Sequence, residues 1–470
     1  MPAKSLITVL VAATALGGCT LAPRYERPGL PVGQTWPVGA DAAPSAVSGA
    51  DLAWRDVFLD ARLQSVIQLA LEQNRDLRVA AANIARARAE YRIQRAELLP
   101  AINATRAMQR SRTPASVSQT GQTDVSDQYS VSAGFAAYEI DLFGRVQSLS
   151  AAALQSYFAV EENRRTVQIS LIAETASAYL TLAADQDLLK IVQDTLASRE
   201  AALDLSRKRF EAGATSELDL RQAQTLTEQA RSDAAIATAQ VERDRNALRL
   251  LVGANVPAEL LPNGDLAKVS VLADIPAGLP SDVLTRRPDV LAAEHTLRAQ
   301  NANIGAARAA FFPRISLTAS AGTVSPDLNG LFTAGTRAWS FAPQVVLPLF
   351  NGGANIAGLR ATEASRDAAV AQYEKAIQTA FREVADALAT RATIGDRVTA
   401  QTRLVDAAAA TQRLTQARYD SGVDGYLAVL DAQRTLYAAR QTLLAAQLAE
   451  ATNRAEVYRA LGGGGGSRSE

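Results

Sequence analysis

The chain has almost none of the residues from which most enzyme sites are built. Its 470 residues include one cysteine, Cys19, and one histidine, His295. A single cysteine forms no internal disulfide. A lone histidine cannot assemble a His-rich metal site or a metalloprotease helix motif, and His295 reads as an ordinary residue within a helix. There is no glycine-rich phosphate loop and no strand-turn-helix nucleophile elbow. The expectation is a protein that is not an enzyme and carries no cofactor and no metal. An excess of either charge is lacking too: acidic and basic residues balance at 48 each, so no electrostatic footprint for nucleic acid is present. Aromatics make up only 5%. Many of the apolar residues are alanine, which has the highest helix propensity and lets helix axes approach closely. Beyond the N-terminal segment no uninterrupted apolar run is long enough for a membrane helix.

Glycine and proline are absent from the longest stretches. Arg145 to Ala212 contains neither, and the stretch is bounded by Gly144 and Gly213. One continuous helix there would be roughly 100 Å long at ~1.5 Å per residue, although the absence of breakers permits continuity without requiring it. Leu182, Leu189, Leu196, Leu203 and Phe210 recur every seven residues, the seam of a helix packed along a partner. A second breaker-free run, Ala214–Val252, follows, so the pattern predicts a long helical hairpin over 145–252 turning at Ala212–Thr215. A second hairpin is expected over 354–461, as Ala354–Ser421, interrupted by Gly358 and Gly395, and its return Tyr426–Leu461.

The N-terminus carries an address. Lys4 precedes the apolar stretch Leu6–Leu16, and Leu16-Gly17-Gly18-Cys19 closes it. Residues 1–18 read as a secretory signal, too short to span as a mature helix. Either Cys19 is incidental, or the sequence is a bacterial lipobox, which it resembles, with Cys19 lipidated as the first mature residue. The second reading gives the one cysteine a reason for its place. Thr20, rather than Asp, follows it, which by the usual sorting pattern directs the chain to the outer membrane. Residues 19–60 begin as a Pro- and Gly-rich tether. Helices are expected at Ala61–Gln73 and Asp76–Leu99, with Asn74 at the break and Pro100 as the stop.

Short alternating segments interrupt the helices. Tyr129, Val131, Ala133, Phe135 and Ala137 share one face, and Ser130, Ser132, Gly134 and Ala136 the other, which is the period of a strand. Strands are expected at about 101–112, 129–142, 314–324 and 338–349, with Thr113–Asp127 a loop. Pro343 should break its ladder with a bulge or an unpaired donor. Residues 254–280 hold several prolines and read as a linker that wraps around the rod. Ser281–Arg287 is a short helix candidate, Pro288–Phe311 a longer one, and 462–470 a disordered tail.

The chain is internally duplicated. Arg209-Phe210-Glu211-Ala212-Gly213 pairs with Arg418-Tyr419-Asp420-Ser421-Gly422, Ala223-Gln224 with Ala432-Gln433 and Gly253 with Gly462, all at an offset of 209. Pro100 pairs with Pro313, and each follows its own aspartate, Asp76 or Asp289, at the same spacing. Repeats over 61–253 and 281–461 each read helix, strand, strand, long helix, long helix. Four strands in lipid leave open edges that must close with strands from other chains, and three copies give twelve. Tyr129, Trp339 and Phe341 then suit an interfacial girdle. A four-stranded sheet in a periplasmic protein is the other reading.

Several stretches carry a resemblance. Arg286-Arg287-Pro288-Asp289-Val290-Leu291-Ala292-Ala293-Glu294, Asn303–Pro313, Asp141-Leu142-Phe143-Gly144-Arg145 and Arg418–Tyr426 together resemble the TolC-like outer-membrane factors, in their OprM-type lipoprotein branch. The resemblance implies a mainly α fold with a small β part. In it a homotrimer forms a 12-stranded outer-membrane β-barrel continuous with a periplasmic α-helical barrel. It implies a passive efflux duct anchored in outer-membrane lipid, partnered by a periplasmic adaptor and an inner-membrane pump of the resistance-nodulation-division type. It places adaptor contacts at the hairpin tips, here Arg209, Phe210, Gly213 and Gly422, and acidic residues near the gate, here Asp424 and Asp431, which lie seven apart at the start of the final helix and are expected to share a face. Arg418 and Tyr419 are placed to form inter-helix bonds that hold the tip closed. Set against this, Asp424 suits a helix N-cap and Asp431 a solvated surface charge. Other classes remain: a protein-secretion tunnel of the same superfamily, or a coiled-coil periplasmic lipoprotein with no pore, which leaves the duplicated strand pairs without a purpose.

Overall fold

A computed structural model describes residues 20–33, 35–37, 52–119, 121–270 and 284–463. Cys19, the signal segment and most of the tail lie outside them, as do residues 271–283, the end of the linker and the start of the short helix candidate. In chain order the main elements are α1 (Ala61–Gln73), α2 (Arg75–Ala96), β1 (Asn103–Thr113), β2 (Asp124–Ile140), α3 (Arg145–Glu211) and α4 (Glu217–Val252). There follow α5 (Pro288–Ala309), β3 (Arg314–Ser325), β4 (Arg337–Val346), α6 (Ala354–Asp420) and α7 (Tyr426–Ala460). Both α3 and α6 run 67 residues without a break. Gly358 and Gly395 therefore do not interrupt α6. A glycine inside a helix costs about 1 kcal/mol against alanine, which the hydrogen bonds of so long a helix absorb.

The chain divides into two compact units that cut across the sequence repeats, because the long helices pass from one to the other. One unit comprises Met1–Pro28, Asn83–Val160 and Ala293–Tyr373; the other Gly29–Ala82, Glu161–Ala292 and Glu374–Glu470.

In the first unit the four strands form one antiparallel sheet in the order β1-β2-β3-β4. Its strands are displaced from the sequence expectation. In particular β2 begins at Asp124, because Thr113 pairs with Asp124 and shortens the expected loop. The period-two pattern also slips. Phe135 pairs with Ala319 and Tyr138 with Leu317, so Ala136 and Ala137 together oppose Thr318. Ala137 takes φ 52°, and its N–H donates to Thr318 Oγ1 at 3.0 Å. This bulge removes Ala137 from the expected face and puts Tyr138 and Ile140 there instead. No bulge occurs at Pro343, which pairs in register with Leu317; β4 is an outer strand of the sheet, where proline is tolerated.

The pairing puts Ala133, Phe135, Tyr138 and Ile140 on one face with Ala319, Leu317, Ile315, Trp339 and Phe341, while toward the loop end the same face carries Arg106 beside Val131 and Arg337 beside Thr323. The opposite face carries Ser130, Ser132, Ser320, Thr318 and Ser340. From Tyr129 to Ile140 the apolar row of β2 spans ten steps of its partner strand, about 33 Å, or roughly 23 Å across a membrane at a tilt near 45°, against an apolar band of ~25 Å in outer-membrane barrels. The Arg110–Asp127 ion pair at 3.3 Å closes the loop end of the row. β1 and β4 are exposed over nearly their whole lengths, and Trp339 is 80% exposed.

An extended strap, residues 20–28, lies along α5 in the same unit. Arg27 and Tyr25 bond Glu294, Asn301 Nδ2 donates to Pro23 O, Arg308 Nη1 donates to Leu21 O, and Thr20 Oγ1 meets Ser148 Oγ at 3.0 Å. Gly305 makes this contact possible. A Cβ there would stand 2.7 Å from Ala22 N and 2.6 Å from Ser148 Oγ.

The second unit is helical. Phe58, Leu63, Ile67, Ile172, Tyr179, Leu180, Leu248 and Tyr458 are fully buried, Phe58 meets Tyr458 edge-on at 5.6 Å, and Trp36 stacks on Phe381 at 4.9 Å. Asn74, between α1 and α2, accepts from Leu77 N and donates to Leu251 O. The segment after α4 clips onto α3: Gln186 accepts from Gly264 N, and Asp187 from Asp265 N and Leu266 N. Arg287 is buried and pairs with both Asp289 and Glu383, also donating to Ala460 O. Between α3 and α4 two carboxyls meet. Asp244 Oδ1 accepts from Gln240 Nε2 at 2.8 Å, and its Oδ2 is buried without a partnering donor. Burial and the adjoining Asp244 carboxyl push Asp185 up to about 7, so Asp185 keeps its proton until near neutrality.

Candidate functional site: the hairpin turns

The two hairpins turn by the same backbone device. Gly213 N–H donates to Phe210 O and Ala214 N–H to Arg209 O; Gly422 N–H donates to Tyr419 O and Val423 N–H to Arg418 O. Each is a Schellman closure with glycine in the left-handed region, φ 70° at Gly213 and 74° at Gly422. A side chain at either position meets open space but strains the backbone. The other ends of the return helices match as well, with Gly253 at φ 75° and Gly462 at φ 86°.

The return helices start differently. At the first turn, Ser216 caps α4 in a capping box with Asp219, and Thr215 Oγ1 donates to the same carboxylate at 2.8 Å. The hydrogen bond from Ser216 holds Asp219 below the usual carboxylate range. The pattern Ser-x-x-Asp at 216–219 is the sequence signal for this cap, and it outweighs the mere absence of breakers: α4 starts at Glu217 rather than Ala214.

At the second turn, α7 is capped by Gly425 without a side-chain bond. Asp424 is therefore not the N-cap. It receives Arg418 in a bidentate pair, Nε to Oδ2 at 2.6 Å and Nη2 to Oδ1 at 2.8 Å. This bond from Arg418 favours the ionised form and holds the carboxyl below its ordinary range. Because Asp424 precedes the first helical residue, the seven-residue spacing to Asp431 does not put the two on one helix face. Asp431 is exposed and lies 3.7 Å from Arg434.

The hairpins are joined to one another. Arg209 Nη1 donates to Tyr419 Oη at 2.9 Å, and its guanidinium lies 5.4 Å from that ring. Tyr419 in turn packs against Tyr426 at 5.3 Å. Further from the turns Arg199 is buried, donates to Leu226 O and faces the Tyr437 ring at 5.5 Å. Tyr437 donates to Asp233, and burial together with Asp233 pushes its hydroxyl up to about 12. Arg199, Tyr437 and Asp233 escape sequence reasoning, since no spacing links them. The predicted seam of α3 is buried at Leu182 and Leu203 but opens at Phe210, which is 40% exposed. The structure thus brings together Arg418 with Asp424 and Arg209 with Tyr419, and leaves Asp431 and Phe210 at the surface. His295, far along the chain, meets Gln155 at 2.8 Å. Among the described residues no group of three or more His, Cys, Asp or Glu could hold a metal ion.

Comparison with known proteins supplies the family. The outer membrane efflux protein family model matches twice, over residues 66–254 and 279–463. The chain is 48% identical over 464 residues to the probable efflux pump outer membrane protein TtgC of Pseudomonas putida, covering 98% of this chain and 96% of that protein. It is 44% identical over 463 residues to outer membrane protein OprJ of Pseudomonas aeruginosa, covering 98% and 96%. Among solved structures, the open state of the Neisseria gonorrhoeae MtrE outer membrane channel matches with a TM-score of 0.86 at 42% identity, over 95% of this chain and 98% of that one. A membrane protein from Pseudomonas aeruginosa matches with a TM-score of 0.90 at 44% identity, over 96% and 99%. The mainly α fold with a small antiparallel sheet is that of these channels. The chain belongs to the outer membrane efflux protein family.

Proposed function

We propose that three copies of this chain close a twelve-stranded barrel in the outer membrane, continued into the periplasm by their helical hairpins, and serve as the passive exit duct of a tripartite efflux pump. The observation that carries this reading is the sheet. One face carries a membrane-length apolar row along β2 and the other is rich in hydroxyls, and the two outer strands are left exposed. Unpaired strand edges are not tolerated in lipid, so β1 of one copy pairs with β4 of the next. The apolar face meets lipid and the polar face lines water.

The hairpin turns are the periplasmic end of the duct. Arg209 to Tyr419 and Arg418 to Asp424 hold the turns in one arrangement, and opening the duct requires these bonds to change partners. Asp431, exposed beside them, adds a carboxylate that three-fold symmetry makes a ring. The turns at Gly213 and Gly422, with Arg209 and Phe210, present the surface for the periplasmic adaptor, and an inner-membrane pump of the resistance-nodulation-division type supplies the energy. Cys19 carries a lipid anchor in the outer membrane.

The test is reconstitution of the purified protein in planar bilayers, together with compound susceptibility of a deletion strain. A duct gives discrete channels, and the deletion strain becomes sensitive to exported compounds. A coiled-coil spacer gives no channels. A protein-secretion tunnel gives channels with an unchanged susceptibility profile and a missing secreted protein.

A further inference from the structure

The strap formed by residues 20–28 has a fixed register on α5. From Glu294, which holds Arg27, to Arg308, which holds Leu21, α5 rises fourteen residues, about 21 Å. The strap covers the same distance in six extended steps of ~3.3 Å. Thr20, the first described residue, meets Ser148 Oγ at 3.0 Å, less than one helical turn along α3 from Arg145, and Cys19 is the residue bonded to Thr20. There an open groove of about 260 Å³ is lined by Ile140, Phe143, Ala309, Phe312 and Pro313, with Arg145 at its wall. Phe143 and Phe312 stack at 4.8 Å, and Phe312 is 42% exposed. Arg145 and Arg314 both pair with Glu139, so the groove has an apolar floor and a charged, hydrogen-bonding lip.

We propose that this groove is the seat of an acyl chain carried by Cys19. The proposal rests on the reading of Cys19 as lipidated and deepens it. The lipid is held against the protein by the strap and the Phe143–Phe312 floor, in addition to entering the bilayer. At about 260 Å³ the open groove takes the proximal part of one chain. The ester groups lie at the lip beside Arg145 and Arg314, and the rest of the chain continues into the membrane. The strap delivers the cysteine, and Gly305, by lacking a side chain, lets the strap lie flat.

The experiment grows cells on a diazirine-bearing palmitate, irradiates them, and maps cross-linked tryptic peptides of the full-length protein. The expected product joins the peptide beginning at Cys19 to residues 309–314 or to the peptide containing Phe143. Gly305→Val, which lifts the strap, leaves the lipid on Cys19 and lowers that cross-link several-fold. The proposal is overturned if lipidated Cys19 cross-links elsewhere only. It is also overturned if the groove peptides gain lipid mass without the Cys19 peptide, which would mean that free phospholipid fills the groove. A Cys19 peptide without lipid refutes the lipidation reading itself, and that result is distinct from either of the others.

Discussion

The carboxyl pair between α3 and α4 makes a pH-dependent prediction. Asp185 stands near 7 rather than at its ordinary 3.8 because it is half-buried and adjoins Asp244. The folded hairpin therefore holds a proton that the opened hairpin releases. Asp185's contribution to stability is complete below pH 3.8, declines as pH rises through the range up to about 7, and is lost above it. At about 1.4 kcal/mol per tenfold change in proton affinity, the displacement sets a ceiling of about 4 kcal/mol. Solvent screening of a half-buried pair reduces this to ~1–2 kcal/mol. Asp185→Asn removes the titrating carboxyl while keeping its size, so the variant's hairpin should not feel the change of pH at this position. Hydrogen–deuterium exchange over residues 180–190 and 240–248, corrected for intrinsic rates, reads the difference. Between pH 5 and pH 8, which takes in about two-thirds of that decline, protection of the wild type should fall relative to the variant by about 3–8-fold, the equivalent of ~0.6–1.3 kcal/mol. A ratio that stays constant with pH would refute the raised affinity of Asp185 for its proton.

Other consequences concern the turns and the helical core. Asp424→Ala frees Arg418 and should raise single-channel conductance or alter ion selectivity in planar bilayers, with a smaller effect from Asp431→Ala; no change from either removes the acidic residues from the gate. Gly213→Pro or Gly422→Pro forbids the positive φ of the turn. Each should make cells drug-sensitive while the trimer still runs intact on a native gel, and loss of the trimer would contradict the assignment of these turns to pump coupling. Arg287→Met leaves Glu383 and Asp289 without their buried cation and should destabilise the helical unit by about 3–5 kcal/mol. An unaltered denaturation midpoint would show that Arg459, 3.8 Å from Glu383, suffices alone.

The long helices were legible in the sequence because missing glycine and proline is a direct physical signal. Arg145–Glu211 ends just one position short of the breaker-free run. The strands were legible in kind but not in register. Nothing in the alternation around Phe135 announces that Ala136 and Ala137 both oppose Thr318, since a bulge is selected by pairing with a strand far away in the chain. Gly358 and Gly395 misled in the opposite sense, because propensity is a weak prior once a helix has tertiary support. At the turns, Gly213 and Gly422 could be read from their repeat. The partner of Asp424 could not: its spacing to Asp431 suggested a helix face, whereas the backbone places it before the helix, against Arg418. The link from Arg209 to Tyr419 joins two separate hairpins, a contact that no local pattern encodes.

The duct depends on closure of the sheet between copies. Cysteine placed at Thr105 on β1, and in turn at Ser340, Ala342 or Gln344 on β4, tests it by oxidative cross-linking in isolated outer membranes. Closure by three copies predicts that one pairing gives a covalent ladder ending at three chains. A ladder that stops at one or two chains, or that runs on beyond three, would contradict it.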